Sequence, residues 1–185
     1  MQFRKAQPQD IDFIKDYLFL AMEDLVYYMI GQSDERLGKQ LFSDMLALPT
    51  SQYSYMNCYV LEKNQAVIAA INIYDGAHLS QLRQPVLDYI YTTYNRKIQP
   101  EDETQAGEMY IDTFGVNSNY QGQGIGSQLL QHVIDLIVHQ EGKTLGLLVD
   151  DENPKAKKLY ERLGFKTVGR KTLMGHQLDH MQIKA

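Results

Sequence analysis

Three glycines at alternate positions, Gly122, Gly124 and Gly126, lie in the stretch YQGQGIGSQLL, Tyr120 to Leu130, just before residues spaced like an amphipathic helix. A helix N-terminus presents unpaired N–H groups and about half a positive charge, and glycines before it let a phosphate approach that backbone. The chemistry this supports is the holding of a pyrophosphate. Upstream, EMYIDTFGV alternates with period two, setting Glu108, Tyr110, Asp112 and Phe114 on one face and Met109, Ile111 and Thr113 on the other. Glu108 and Asp112 are thus two carboxylates on one strand face. They are suited to take a proton through a water, to bind a cation, or simply to pair with a surface lysine. Downstream, DDENPKAKKLYERLGF puts Asn153 at a helix cap and Pro154 at the first helical position. Ala156, Leu159, Tyr160 and Leu163 then share one face before Gly164 ends the helix. A tyrosine on such an apolar face reads on its own as core.

These groups need elements to position them. After the glycine loop, Ile125, Leu129, Val133, Ile134 and Ile137 form the apolar stripe of a helix that stops at Gly142. TLGLLV follows as an apolar run typical of a strand buried on both faces. Strand, glycine loop, helix and strand in that order make the two strands parallel. Toward the N-terminus, MQFRKAQ reads as a strand, and Asp10 as the cap of a helix carrying Ile11, Ile14, Leu18 and Met22. A second helix spans about Asp34 to Leu48 and is ended by Pro49. Between Tyr53 and Tyr74, two runs of β-branched and aromatic residues separated by EKNQ predict a hairpin. A helix after Pro85, with Leu87, Ile90, Tyr91 and Tyr94 on one face, makes residues 77–96 a helical insertion, followed by the acidic loop PEDETQAGE.

Two phosphate motifs can be tested against the glycines. The nucleoside-triphosphate loop needs Lys and then Ser or Thr after its last glycine, but Gly126 is followed by Ser127 and Gln128. The dinucleotide fingerprint needs Gly or Ala three positions after Gly124, where Ser127 stands, although Asp150 at the end of the next strand could still bind a ribose. Taken with the later segment, the sequence resembles the GCN5-related N-acetyltransferases (GNAT). That family's cofactor signature, Gln or Arg, two residues, Gly, one residue, Gly or Ala, matches Gln121, Gly124 and Gly126. Its later signature matches Asn153, Ala156, Tyr160, Gly164 and Phe165, so that the resemblance covers roughly the last eighty residues.

The resemblance implies a single α/β (α+β) domain over residues 1–185, with the inserted helix near the acceptor site. Its sheet would be central, mixed and mostly antiparallel, of about seven strands flanked by helices. The sheet would splay between the strand ending at Val116 and the one ending at Val149, and acetyl-CoA would lie in the gap as co-substrate. Gln121, Gly122, Gln123, Gly124, Ile125, Gly126 and Ser127 would hold its pyrophosphate, the backbone of Phe114, Gly115 and Val116 its pantetheine, and Asn153 its distal end. The reaction implied is direct transfer of an acetyl group to a primary amine of a small molecule or peptide. Tyr160 would protonate the departing sulfur. The position where many relatives carry a glutamate base is Tyr110, so Glu108 or Asp112 would serve instead. A catalytically silent acyl-CoA-binding or sensor module of the same fold, and a nucleotide-dependent oxidoreductase, stand as alternatives. Retention of Tyr160 speaks against the first, the incomplete dinucleotide fingerprint against the second.

Composition sets the surroundings. The chain has 185 residues, 44% of them hydrophobic, enough for one substantial core. Its apolar runs are too short to span a bilayer, and its N-terminus lacks the apolar segment of a signal peptide. The single cysteine, Cys58, forms no internal disulfide and reads as a small buried hydrophobe, which points to the cytoplasm. A net charge of −5 with no long basic run argues against nucleic acid. Membrane association is likewise not expected, and a homodimer is left open. His78, His132, His139, His176 and His180 show no metal-ligand spacing, so no metal is expected, and His180 is placed near the site only if the last strand runs beside it.

Overall fold

The computed structural model describes residues 1–185. Strand β1 (Gln2–Lys5) leads into helices α1 (Ile11–Ile30) and α2 (Glu35–Ala47), then the hairpin of β2 (Cys58–Lys63) and β3 (Ala66–Asp75). Helix α3 (Leu79–Tyr94) and an irregular segment precede β4 (Met109–Val116) and α4 (Ile125–Ile134), which runs on as a π-turn over Asp135–Gln140. Strand β5 (Leu145–Asp150), helix α5 (Pro154–Arg162) and the hairpin of β6 (Lys166–Leu173) and β7 (His176–Ile183) complete the chain. The strands form one sheet in the order β1-β2-β3-β4-β5-β7-β6, and only the β4–β5 pair is parallel. This is the mixed, mostly antiparallel sheet the sequence leads one to expect.

Both faces of the sheet are covered, which is why β3 is buried along almost its whole length. On one face, Val60, Val67 and Ala70 pack with Ile14, Leu18 and Val26 of α1, Leu41 and Phe42 of α2, and Val86 and Ile90 of α3. On the other, Ile68, Ile71, Ile73, Ile111 and Leu147 pack with Leu129, Leu130 and Val133 of α4 and Tyr160 of α5. Each side chain of that size contributes about 1.5–3 kcal/mol when fully buried. Helix α1 is pinned against the middle of the sheet. Its Tyr17 hydroxyl donates to Val67 O at 2.7 Å, and its backbone lies so close to Gly115 that a side chain there would collide with it.

Several expectations are corrected. Asp10 does not cap α1, because Pro8 opens a 3-10 turn that already places Asp10 in helical conformation (φ −85°, ψ −10°). Its carboxylate turns back to Arg4 at 2.7 Å and the Gln7 amide at 2.8 Å. Asp34 does cap α2, accepting from Leu37 N at 3.1 Å. Helix α3 begins at Leu79, before Pro85 and not after it, and Pro85 sits inside it. It follows directly on a 3-10 turn, Gly76–His78, capped by Asp75, whose carboxylate accepts from Ala77 N at 2.9 Å, and one absent backbone donor at Pro85 does not break it. Its inward face is Leu79, Arg83, Val86 and Ile90, while Tyr91 is exposed.

The largest correction lies in β4. Pairing with β3 jumps from Asn72↔Thr113 to Ile73↔Ile111, leaving Asp112 as the extra residue of a β-bulge. The bulge reverses the alternation. Phe114 and Val116 therefore join Met109 and Ile111 on the α4 side, while Asp112 and Thr113 line a cleft with Tyr110 on the other. A strict period of two cannot register an inserted residue.

Candidate active site

After β4 the chain is held by Asn117, whose amide donates to Ile68 O at 2.9 Å and whose side chain donates to the Tyr17 hydroxyl at 3.1 Å. A 3-10 turn over Ser118–Tyr120 then delivers the glycines. Gly122 (φ 73°) and Gly124 (φ 76°) are left-handed, a conformation that costs other residues energy. Nothing lies within 4 Å of where their side chains would project, so the loop faces open space. Gly126 is not left-handed. A Cβ there would meet Phe114 at 3.4 Å, an ordinary contact, so Gly126 lies against the strand with room for a methyl group. From Gly122 through Ser127 no backbone N–H finds an acceptor in the chain. A run of free amides ending on a helix N-terminus suits a pyrophosphate. The Gln121 side chain reaches back toward Val116 O at 3.4 Å, and that of Gln123 donates to Asn119 O at 3.0 Å, both bracing the loop.

The sheet opens directly beside this loop. β4 and β5 pair only over Met109–Ile111 and Leu145–Leu147. Beyond that, β4 stays with β3, Phe114, Gly115 and Val116 facing Ile71, Ala70 and Ala69, while β5 stays with β7. The β5-side edge of β4 is therefore unpaired from Asp112 to Val116, and its peptide groups are free to bind an extended amide-bearing chain. The fork starts at the bulge.

Asp112 stands at that point. Its Oδ2 accepts from Gln52 Nε2 at 3.0 Å and lies 2.9 Å from the Tyr74 hydroxyl. Burial, reinforced by the negative charge of Glu103, pushes its pKa up to about 7, against the opposing hydrogen bonds from Tyr74 and Gln52 and the charge of Arg83. Such a carboxylate is poised to exchange a proton near neutrality. It forms part of the wall of a cleft of about 830 Å³ between α1, α3, β4 and the β6–β7 turn. Acids dominate the ionisable groups there: Glu23, Asp24, Glu101, Glu103, Asp112 and Asp150 face a single arginine, Arg83, and His176.

Glu108, paired with Asp112 as a base in the sequence reading, is held elsewhere. It is 4% exposed and does not line the cleft. Its oxygens contact His180 Nε2 at 2.8 Å, Gln182 Nε2 at 2.7 Å and Thr104 Oγ1 at 2.7 Å. Burial works to raise its pKa, but those three partners outweigh burial and hold it below the usual carboxylate value. It fits only because β5 has Gly146 beneath it, where a methyl group would collide with Glu108 Oε2. Glu108 ties β4 to β7, and His180 is buried with it.

Tyr160 is 8% exposed and packs edge-on to Phe165 with ring centroids 5.9 Å apart. Its hydroxyl makes no hydrogen bond within the chain, and burial pushes its pKa up to about 12, so it carries its proton at neutral pH. Asn153 uses Oδ1 to cap α5 at Ala156 N, 3.1 Å away, leaving only its Nδ2 for a ligand.

A model of the acetyltransferase (GNAT) family matches residues 27–165. The chain belongs to that family. A crystal structure of an acetyltransferase superposes on it with a TM-score of 0.82 and 29% identity, covering 100% of this chain and 99% of that one. Spermine/spermidine N(1)-acetyltransferase of Bacillus subtilis (strain 168) is 27% identical over 79 residues, 42% of this chain and 52% of that protein. A structure from Salmonella typhimurium that holds its cofactor acetyl-CoA shares the fold, with a TM-score of 0.54 and 17% identity over 100% of this chain and 93% of that one. The matched stretches span between 21% and 52% of the curated relatives' own lengths.

Within this GNAT fold, the sequence reading named Glu103 only as part of an acidic loop and missed Gln52, Tyr74 and Arg83, which distant segments bring to the cleft. Gln52, Tyr74, Arg83 and Glu103 surround Asp112, yet none stands in a motif. The acidic tract EDE is their only trace in the sequence. The histidines also change standing. His176 Nδ1 lies 2.9 Å from Asp150 Oδ2, and with Glu152 the ligating atoms fall within 4.8 Å of one another. Two of the three residues are exposed, and solvated groupings of this kind form without a metal. No helix is long and apolar enough to cross a membrane, and Cys58 is buried, its thiol pushed up to about 12 by that burial.

Proposed function

We propose that this protein is an acetyl-CoA-dependent N-acetyltransferase of the cytoplasm whose acceptor is the primary amine of a cationic small molecule or peptide. Residues 1–185 act as one domain, with 77–96 as its acceptor-side insertion. The observation that carries the reading is the fork: the sheet parts at Asp112, with free amides from Gly122 to Ser127 on one side and an acid-rich cleft on the other. Acetyl-CoA is the co-substrate the loop and strand edge fit, and it supplies an activated thioester. The amides of the loop bind its pyrophosphate. The free edge of β4 from Phe114 to Val116 orients its pantetheine, and Asn153 Nδ2 is a further donor near the start of α5.

On the other side of the fork, the acids of the cleft hold the acceptor as a cation. Asp112, directly or through a water, takes one proton from the bound ammonium and so frees the lone pair that attacks the thioester carbonyl; the second proton shed as the amide forms passes through water to replace the one Tyr160 gives up. Tyr160 gives its hydroxyl proton to the sulfur as the carbon–sulfur bond breaks. The neutral oxygen it offers is what a departing thiolate requires. Glu108 takes no part in the transfer and serves to position β4 against β7.

The reading is tested by following thiol release from acetyl-CoA against a panel of polyamines, amino acids, aminoglycosides and peptides. Release should require an amine, and acetyl-CoA should raise the melting temperature where NADH does not. Stabilisation by NADH alone would sink it. Stabilisation by acetyl-CoA with no amine ever acetylated would favour a binding module.

A further inference from the structure

The polar chain at the floor of the cleft does not stop at Asp112. The Tyr74 hydroxyl, 2.9 Å from Asp112 Oδ2, is also 3.1 Å from Glu103 Oε1, and the other oxygen of Glu103 is paired with Arg83 of α3. A phenol has one proton to donate, so Tyr74 cannot satisfy two ionised carboxylates at once. One proton placed on the pair resolves this. Asp112 then donates to Tyr74 while Tyr74 donates to Glu103, and every short contact has a hydrogen in it.

The arrangement is sealed and held in place. Tyr74 is 2% exposed, and Glu103 and Arg83 are each 8% exposed. Arg83 also binds Pro100 O at 3.2 Å, Glu101 O at 3.0 Å and Asp102 Oδ1 at 3.0 Å, so α3 clamps the segment that carries Glu103. The other titratable groups around Asp112 are Tyr53, Cys58 and Tyr110, all neutral because burial raises them. Across the cleft stand Glu23, Asp24, Glu101, Asp150 and His176. Glu103 and Arg83 are therefore the buried charges set against Asp112.

We propose that Asp112, Tyr74 and Glu103 form one proton-sharing unit, in which Tyr74 passes to Glu103 the proton that Asp112 takes from the acceptor amine and Arg83 holds Glu103 to receive it. This rests on the reading of Asp112 as the base. The step balances without electron transfer. The amine N–H bond breaks toward Asp112, the Asp112 proton moves to the Tyr74 oxygen, and the Tyr74 O–H bond breaks toward Glu103. The net change is one proton moved from nitrogen to Glu103, with Tyr74 restored. Glu103, Tyr74 and Arg83 are positioning and relay residues that act through Asp112.

The test begins in substrate-free protein, where the Asp112 carboxyl carbon, identified by its loss in Asp112→Asn, is titrated by NMR. In the wild type, Asp112 should titrate above the usual carboxylate range, with the Glu103 charge beside it. Glu103→Gln should lower that step by about one unit or more, since a like charge is removed, and Arg83→Met should move the titration upward. With the best amine of the panel, the acid limb of kcat/KM should move in the same directions. Tyr74→Phe should lower kcat by roughly tenfold or more with little change in KM. Glu103→Gln keeps size and shape, so it decides the matter even if Arg83→Met does not fold. A carboxyl titration that is unchanged in Glu103→Gln overturns the proposal. If the titration behaves as described but no amine is acetylated, the acetyltransferase reading fails. If Asp112→Asn slows a real acetylation while Glu103→Gln moves neither titration nor limb, that reading stands and the relay falls.

Discussion

Asp112 lies in β4 and Glu108 just before it, four positions away, and their surroundings separate them. Three hydrogen-bond partners keep Glu108 ionised, whereas burial beside another carboxylate pushes Asp112 up. The consequences for stability have opposite signs. The lowered pKa of Glu108 means that its contribution is fully present above the unfolded value of about 4.3 and is lost as pH falls through the folded value. Glu108→Gln should therefore cost on the order of 2 kcal/mol at neutral pH, lowering Tm by roughly 4–8 °C. That gap should narrow in acid, while kcat stays near the wild type's. A catalytic collapse with unchanged Tm would return Glu108 to the role of base. For Asp112, whose pKa is raised to about 7, holding the charge in the fold is a cost that grows as pH rises from about 4 to 7. Asp112→Asn should accordingly raise Tm at alkaline pH while slowing turnover, and calorimetry at acid and alkaline pH reads the difference. Tyr160→Phe should keep acetyl-CoA binding and lower kcat by roughly ten- to a thousandfold, because only the proton for the leaving sulfur is lost. Unchanged turnover in a single-turnover assay would assign that proton to another group. None of this separation is visible in the sequence, because period-two spacing places the two acids on one face and says nothing about what packs against each.

At the scale of elements, the glycine loop was the most legible part of the chain. Alternate glycines before an apolar helical stripe leave few other uses for the backbone, and the structure adds how the work is divided. Gly122 and Gly124 supply left-handed turns, whereas Gly126 is not left-handed and has room for a methyl group beside Phe114. Gly124→Val should abolish the Tm shift produced by acetyl-CoA. Gly126→Ala, with its neighbour at 3.4 Å, should weaken the shift only in part. Equal loss in both would mean that packing, and not access to the amides, governs binding. The hairpin at EKNQ and helix α2 were legible for the same reason, since turn residues and a helix-ending proline act locally. The bulge at Asp112 and the start of α3 were not. The bulge depends on the β3 partner, and α3 is entered through a short 3-10 turn over Gly76–His78, so neither leaves a periodic trace.

Across the whole molecule, the acids of the cleft do not all remain free to attract a substrate. Asp102 and Glu103 are taken up by Arg83, and Glu101 accepts from Met174 N at 3.0 Å, so the acidic tract largely fixes its own loop. The exposed acids at the mouth come from α1. There the helix breaks at Met22 (φ −129°, ψ 20°) and sets Glu23 and Asp24 along the cleft. Helix, acidic loop and sheet fork thus divide the labour, with charge at the rim and proton transfer at the floor. A net charge of −5 adds a weak general pull on cations, but at about 0.1 M salt fields fade over roughly 10 Å, which leaves nearby rim acids as the effective ones. Neutralising Glu23 and Asp24 together, as Gln and Asn, should lower kcat/KM for a multiply charged amine several-fold at low salt. It should also flatten the salt dependence seen in the wild type, with kcat preserved because the floor is untouched. Glu101→Gln should instead act through the loop, loosening the β6–β7 turn and changing Tm more than the salt slope. If the α1 double variant keeps the wild type's efficiency and salt slope, rim charge does not recruit the acceptor, and its selection falls to the shape of the pocket between α3 and the fork.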